Sequence, residues 1–167
     1  NALAAISAIS LFNIDFIAIK EGLENVVVPG RAEIVPNIHG KNIMIDYAHS
    51  PASLENILKA VKPYTKGNLI CVFGCGGDRD ATKRPIMGKI SGQLADFTII
   101  TSDNPRTEDP QKIVDDIEEG IKQTKGKYTV ILNRTKAIEL ALKRCEKNDL
   151  VVLAGKGHET YQEINGE

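Results

Sequence analysis

Residues 69–80 read LICVFGCGGDRD: five consecutive apolar residues, Leu69 to Phe73, break at Gly74 into glycines and charges. A run that is apolar on successive rather than alternate positions suits a strand buried on both faces, as in the interior of a parallel sheet. The same pattern recurs on either side. Ile43 to Ile45, Phe97 to Thr101, Thr129 to Leu132 and Leu150 to Leu153 are short β-rich runs, and amphipathic stretches separate them at Ala52 to Tyr64, Pro85 to Leu94, Pro110 to Thr124 and Thr135 to Glu146. Strand followed by helix, four times over, predicts an α/β fold: a Rossmann-like, mostly parallel sheet with flanking helices. Upstream, Ala2, Leu3, Ile6 and Ile9, then Phe16, Ile17, Ile19 and Leu23, recur at helical spacing and predict two short helices. Arg31 to Ile38 and Lys41 to Tyr47 are extended in character, and His39-Gly40 between them is a two-residue turn signal, so a β-hairpin is expected.

Composition narrows the function classes. The chain has 167 residues, 21 Lys and Arg against 22 Asp and Glu, and 42% apolar residues, as expected for one ordinary domain with a real core. A net charge of -1 gives no basic field for nucleic acid or for an anionic membrane surface. No apolar run approaches the roughly 20 residues needed to cross a bilayer. The apolar opening, Asn1 to Phe12, has no basic residue before it and does not read as a secretory signal; it reads as an element of a longer protein. Three cysteines, Cys71, Cys75 and Cys145, together with scattered His39, His49 and His158, lack the paired spacing of a zinc site, and reduced cytosolic thiols are expected.

In an open parallel sheet ligands bind beyond the carboxyl ends of the strands, so the residues that follow each strand carry the functional information. Four such loops combine acids, bases and glycines: Asp46 to Pro51, Gly74 to Asp80, Ser102 to Arg106, and Ala154 to Glu159. Together they predict a polar small-molecule site along one edge of the sheet. Each loop also has a plainer reading. Asp46 suits a turn cap, and His49-Ser50-Pro51 suits the start of a helix. Gly74 to Gly77 is either a tight turn or a nest of backbone N–H groups for an anion, and it lacks the G-x-G-x-x-G spacing of a dinucleotide fingerprint. Asp103-Asn104-Pro105 is a turn initiator that leaves Arg106 unexplained. No G-x-x-x-x-G-K-[ST] occurs anywhere, so the chain has no phosphate loop of its own.

The words Asn1 to Ala5, Gly30 to Glu33, Asp46-Tyr47-Ala48-His49, Phe73 to Arg79 with Lys83-Arg84-Pro85, Asp103-Asn104-Pro105-Arg106, and Gly155 to Glu159 with Tyr161-Gln162 run in order over nearly the whole chain. In this order they resemble the C-terminal domain of the Mur ligases, the ATP-dependent amino-acid ligases of peptidoglycan precursor synthesis, and within that family the branch that adds diaminopimelate. The resemblance implies that residues 1–25 are the last helices of a central ATPase domain or a linker. Residues 26–167 would be the C-terminal domain, cut short at its own end. It implies a bacterial, cytoplasmic enzyme whose partners are ATP, meso-diaminopimelate and UDP-N-acetylmuramoyl-L-alanyl-D-glutamate (UDP-MurNAc-L-Ala-D-Glu). The Mg2+ ligands and the phosphate loop would lie in the central domain, so this chain would hold no catalytic residue and no metal and would be inactive alone.

By the same resemblance Asn1 reads adenine, Arg31 reaches the ATP phosphates, Asp46 accepts from the ribose hydroxyls, and His49 is a further nucleotide contact. These residue types suit those partners: an amide offers donor and acceptor, a guanidinium forks onto phosphate, and a carboxylate accepts from hydroxyls. Arg79 and Arg106 pair with diaminopimelate carboxylates, Asp103 and Asn104 hold its distal end, and the Gly155 carbonyl with Glu159 accepts the distal ammonium. Arg106 is the discriminating residue, because lysine has no distal carboxylate and would set its ammonium against the guanidinium. Lys156, His158, Asp78, Lys83 and Arg84 fall in matching words without an assigned role. The alternative reading is a Rossmann-like nucleotide- or amino-acid-binding module without catalysis, and behind it a regulatory domain, for which ionised groups at four strand ends have no use.

Overall fold

A computed structural model describes residues 2–12, 14–38 and 40–166. In chain order the elements are α1 (Ala2–Ile9), α2 (Phe16–Glu24), β1 (Glu33–Ile38), β2 (Lys41–Asp46), α3 (Pro51–Val61), β3 (Leu69–Phe73), α4 (Lys83–Leu94), β4 (Phe97–Ile100), α5 (Pro110–Ile121), β5 (Tyr128–Val130), α6 (Arg134–Arg144) and β6 (Leu150–Ala154). The starts of the helices after β2, β4 and β5 are written locally. Ser50 caps α3 through a reciprocal pair with Ser53 and is followed by Pro51 at the first helical position. Asp109 caps α5 by accepting from the Gln111 N–H, and Asn133 caps α6 by accepting from the Lys136 N–H.

The six strands form one sheet in the order β1-β2-β6-β3-β4-β5. Only the β1–β2 hairpin is antiparallel; β2–β6, β6–β3, β3–β4 and β4–β5 are parallel. Alternation along β3 explains its uninterrupted apolar run. Leu69, Cys71 and Phe73 pack on the face covered by α3, α4 and α5, while Ile70 and Val72 pack on the other with Ala137 and Ala141 of α6 and with Cys145 just after it. The chain moves outward from β3 to β5 and then returns through α6 to insert β6 between β2 and β3. The helices α3, α4 and α5 thus cover one face of the sheet and α6, which leads into β6, the other, while the loops after β2, β3, β4 and β6 gather at the carboxyl ends of the parallel strands.

Several boundaries differ from the sequence reading, each for a physical reason. β5 is Tyr128–Val130 rather than Thr129 to Leu132: its regular ladder with β4 runs from Thr98 opposite Tyr128 to Ile100 opposite Val130, and Ile131 and Leu132 follow with single backbone bonds to Ile100 and Ser102. α4 begins at Lys83, two residues before Pro85, since proline is tolerated in a first turn where its missing N–H has no helical partner. α5 stops at Ile121, and Lys122 to Thr124 close a turn onto the Glu118, Gly120 and Ile121 carbonyls. The expected hairpin is present, with Gly40 at a positive φ of 79°; its turn partner His39, like Asn1, lies outside the described residues. Leu3, Leu11, Phe12, Phe16 and Val27 are exposed along the N-terminal segment.

Candidate functional site

Loops after β2, β3, β4 and β6 meet over the crevice. The glycine loop after β3 is packed back to back with the loop after β4: the Gly77 N–H donates to the Asn104 carbonyl at 2.8 Å, and a side chain on Gly77 would run into the Pro105 carbonyl. The next N–H, that of Asp78, donates to Glu108 Oε1 at 2.5 Å. The glycine loop thus spends two of its N–H groups on the neighbouring loop, and it reads here as a close-packed turn rather than an open anion nest. Lys83 at the start of α4 donates to the His49 carbonyl at 2.8 Å and ties the loop after β2 to the same rim.

These loops enclose a cleft of about 350 Å³ lined by seven of the ten residues singled out from sequence: His49, Arg79, Asp103, Asn104, Arg106, Gly155 and Glu159. Arg106 sits in the left-handed region, φ 53°, with Nη1 donating to the Gly77 carbonyl at 2.8 Å and Nε 2.9 Å from Glu163 Oε2. Asn104 is buried. Its Nδ2 donates to Glu159 Oε2 at 3.0 Å, and its Oδ1 accepts from Lys156 Nζ at 2.8 Å and from the Glu163 N–H at 3.0 Å. Asp103 accepts the Asn104 N–H on Oδ1 at 2.8 Å. Arg79 is exposed and donates from Nη1 to the Asp78 carbonyl at 2.9 Å. Burial opposes ionisation of Glu159, but hydrogen bonds from Lys156 and Asn104 outweigh it and hold the carboxyl below the usual range. Burial pushes the Cys75 thiol at the cleft wall up to about 12, which leaves it protonated and inert at neutral pH.

Gly155 turns the chain at φ 108°, and a Cβ there would sit 2.9 Å from Asp103 Oδ2. Gly155→Ala is therefore expected to destabilise the fold by about 1–3 kcal/mol, the scale for an L-residue forced into such a conformation, as measured by urea denaturation. An unchanged midpoint would mean that this turn relaxes without resistance.

The remaining nucleotide candidates stand beside the cleft. Asp46 ends β2 and accepts the Ala32 N–H on Oδ2 at 2.7 Å; Arg31 is exposed and lays its guanidinium 4.5 Å from the centre of the Tyr47 ring. His49 holds its ring against the Tyr47 carbonyl, 2.8 Å from Nδ1, and is the residue just before the Ser50 cap, so its helix-entry reading and its place on the cleft coexist. Among the described residues no group of three or more His, Cys, Asp or Glu is placed to hold a metal ion.

Three charged residues left without a role turn out to be structural members of the rim. Lys156 is buried among Asn104, Asp103 and Glu159. Arg84 is 2% exposed and forks onto Glu108 and Asp116. Asp78, at φ 53°, accepts from the Thr107 N–H and hydroxyl. Tyr47, beneath Arg31, was present only as a letter in its word; its phenol is pushed up by burial and by the Glu159 carboxylate that it faces. Arg134, at the first turn of α6, donates to the carbonyl of Ala154 at 3.0 Å.

Residues 30–157 match the family described as "Mur ligase, glutamate ligase domain". The chain is 52% identical over 165 residues to the UDP-N-acetylmuramoyl-L-alanyl-D-glutamate–2,6-diaminopimelate ligase of Alkaliphilus metalliredigens, covering 98% of this chain and 33% of that protein. It is 53% identical over 165 residues to the enzyme of the same name from Clostridium botulinum, covering 97% of this chain and 34% of that one. A solved structure of a ligase of that name superposes with a TM-score of 0.78 at 40% identity over 99% of this chain and 34% of its own. E. coli FolC in complex with ADP shares the fold, with a TM-score of 0.72 at 20% identity, over 94% of this chain and 36% of its own. The chain spans about a third of the length of these relatives. Its sequence words, its sheet order and this match, which takes in all four strand-end loops up to Gly157, lead to one assignment: the chain belongs to the Mur ligase family, as its C-terminal glutamate ligase domain.

Proposed function

We infer that this domain presents meso-diaminopimelate to an acyl phosphate formed on the D-glutamate side chain of UDP-MurNAc-L-Ala-D-Glu, in a ligase whose other domains supply the phosphate loop and the Mg2+ ligands. The observation that carries the reading is the cleft in which Arg79 and Arg106 stand with Asp103, Asn104 and Glu159. A diaminopimelate end group is a carboxylate beside an ammonium, and this wall offers guanidinium donors and carboxylate acceptors together. Arg106 takes the distal carboxylate, Glu159 and the Gly155 carbonyl take the distal ammonium, and Asp103 and Asn104 hold the polar end between them. The far amine, kept neutral, attacks the acyl carbon; a C–N bond forms, the acyl C–O bond breaks, and phosphate departs. The contribution of this chain is alignment, since two separately bound reactants become effectively one.

Arg31 and Asp46, at the exposed margin of the cleft, suit a nucleotide: a free guanidinium for phosphate, and a carboxylate whose Oδ1 is left for a ribose hydroxyl once Oδ2 has taken the Ala32 N–H. Asn1 for adenine and His49 as a further contact complete the set. Residues 1–25 serve as the end of the preceding domain and 26–167 as the domain proper, a division supported by the family match beginning at residue 30. No described helix is long and apolar enough to cross a membrane, and the UDP-linked substrate belongs to the bacterial cytoplasm.

The test is phosphate release. The isolated chain is expected to give none with ATP and UDP-MurNAc-L-Ala-D-Glu. A full-length ligase carrying this domain is expected to use meso-diaminopimelate at least about tenfold more efficiently than L-lysine, the scale of one charge-assisted contact. Equal use of the two amines would defeat the assignment.

A further inference from the structure

Lys156 follows β6 in Gly155-Lys156-Gly157, where nothing in the sequence gives its side chain a role. A lysine in a loop belongs in water, yet this one is 8% exposed, with Nζ lying 5.4 Å from the centre of the Tyr161 ring. Burying an ammonium is unfavourable unless its donors are matched. Here they are: Nζ donates to Asn104 Oδ1 at 2.8 Å and to Glu159 Oε2 at 2.9 Å, with Asp103 Oδ1 at 4.0 Å.

These contacts decide how two cleft residues present themselves. An asparagine amide can be used either way round. With Oδ1 committed to Lys156 and to the Glu163 N–H, Nδ2 is the end that meets Glu159. Glu159 Oε2 then takes two donors, Lys156 Nζ and Asn104 Nδ2, so that Oε1 is the oxygen with capacity left. The same ammonium stands between Asp103 and Glu159, two carboxylates of one wall that would otherwise repel each other.

We propose that Lys156 is a positioning residue of the amino-acid site: it fixes Asn104 with its amide as donor and engages one oxygen of Glu159, so that the incoming ammonium meets a single preset oxygen. The proposal rests on the reading that Asn104 and Glu159 hold the amino acid, and its test is built in two parts so that the two ideas fail separately.

The first part uses this chain without ligand. In protein labelled with ¹³C at glutamate carboxyls, the midpoint of the Glu159 titration is expected to rise in Lys156→Met. Burial of the carboxyl persists while its strongest hydrogen bond is gone. The groups facing Glu159 are Tyr47 after β2, Asp103 and Asn104 after β4, Arg134 at the start of α6 and Lys156 itself; only the last is changed. Lys156→Arg, which keeps the charge, is expected to restore the low midpoint. The second part uses a full-length ligase carrying this domain. Lys156→Met is expected to raise KM for meso-diaminopimelate about tenfold or more, with KM for ATP unchanged, and Lys156→Arg to recover much of the loss. An unmoved Glu159 titration, or KM for ATP rising in step with KM for the amino acid, overturns the proposal. A wild-type ligase that does not use diaminopimelate overturns the functional reading, while the titration still judges Lys156. If the methionine variant does not fold, Lys156→Gln, uncharged but still a donor to Asn104 Oδ1, gives the same two measurements.

Discussion

Arg106→Ala in a full-length ligase carrying this domain is expected to lower kcat/KM for meso-diaminopimelate about ten- to a hundredfold, from loss of a charge-assisted contact worth roughly 1.5–3 kcal/mol. The Gly77 carbonyl holds Nη1 and Glu163 holds Nε, so the guanidinium is already aimed before a ligand arrives and Nη2 is left for a carboxylate. L-lysine has no distal carboxylate and loses nothing specific. The quantity to measure is therefore the ratio of kcat/KM for the two amines, which cancels damage shared by both, such as slackening of the glycine loop. Equal losses would make Arg106 a structural strut, and the preference for diaminopimelate would need another origin.

The second large effect is on stability, and its ordering is counterintuitive. Glu108→Ala is expected to destabilise the domain more than Arg84→Met. The Arg84 side chain is 3% exposed, whereas Glu108 and Asp116 are 32% and 41% exposed. Without Arg84 both carboxylates hydrate, and methionine fills the space with apolar atoms. Without Glu108, a buried guanidinium keeps Asp116 as its sole carboxylate and a long 3.5 Å contact to the Gly76 carbonyl, and its Nε already has no hydrogen-bond partner. Breaking a buried pair in this direction costs about 3–5 kcal/mol, and the remaining Asp116 places the loss at the lower end. For a domain of this size that lowers Tm by about 6–12 °C. The Asp78 N–H also loses its acceptor, so the loop that carries Arg79 loosens with the core. Thermal denaturation of the two variants checks the order; a larger loss for Arg84→Met would show that the carboxylates, not the guanidinium, are the buried charges that matter.

Legibility from sequence followed the range of the forces involved. β3 was readable to the residue, Leu69 to Phe73, because burial on both faces writes itself into adjacent letters. The caps at Ser50, Asp109 and Asn133 are local hydrogen bonds and fall where local chemistry puts them. The end of β5 was not readable, since Ile131 and Leu132 look as strand-like as Thr129 and still exchange backbone hydrogen bonds with Ile100 and Ser102 after the regular ladder stops at Val130. In the site, the strand-end loops could be selected by position alone, and the cleft gathers seven of the residues that the family resemblance named within them. What could not be read was which charges are buried. Lys156 and Arg84 are indistinguishable on paper from solvated lysines and arginines; their partners lie 52, 24 and 32 residues away, at Asn104, Glu108 and Asp116.

The backbone of Arg106 has one more implication. An arginine at φ 53° adopts a conformation that L-residues seldom hold unaided, and here it is clasped on both sides: its N–H donates to the Glu163 carbonyl and its carbonyl accepts the Asn165 N–H. A single β-bridge of the tail, Ile164 beside Arg106, thus acts as a splint for the side chain proposed to meet the amino acid. Glycine or proline substitutions in residues 162–165 would alter amine preference without changing any group that lines the cleft.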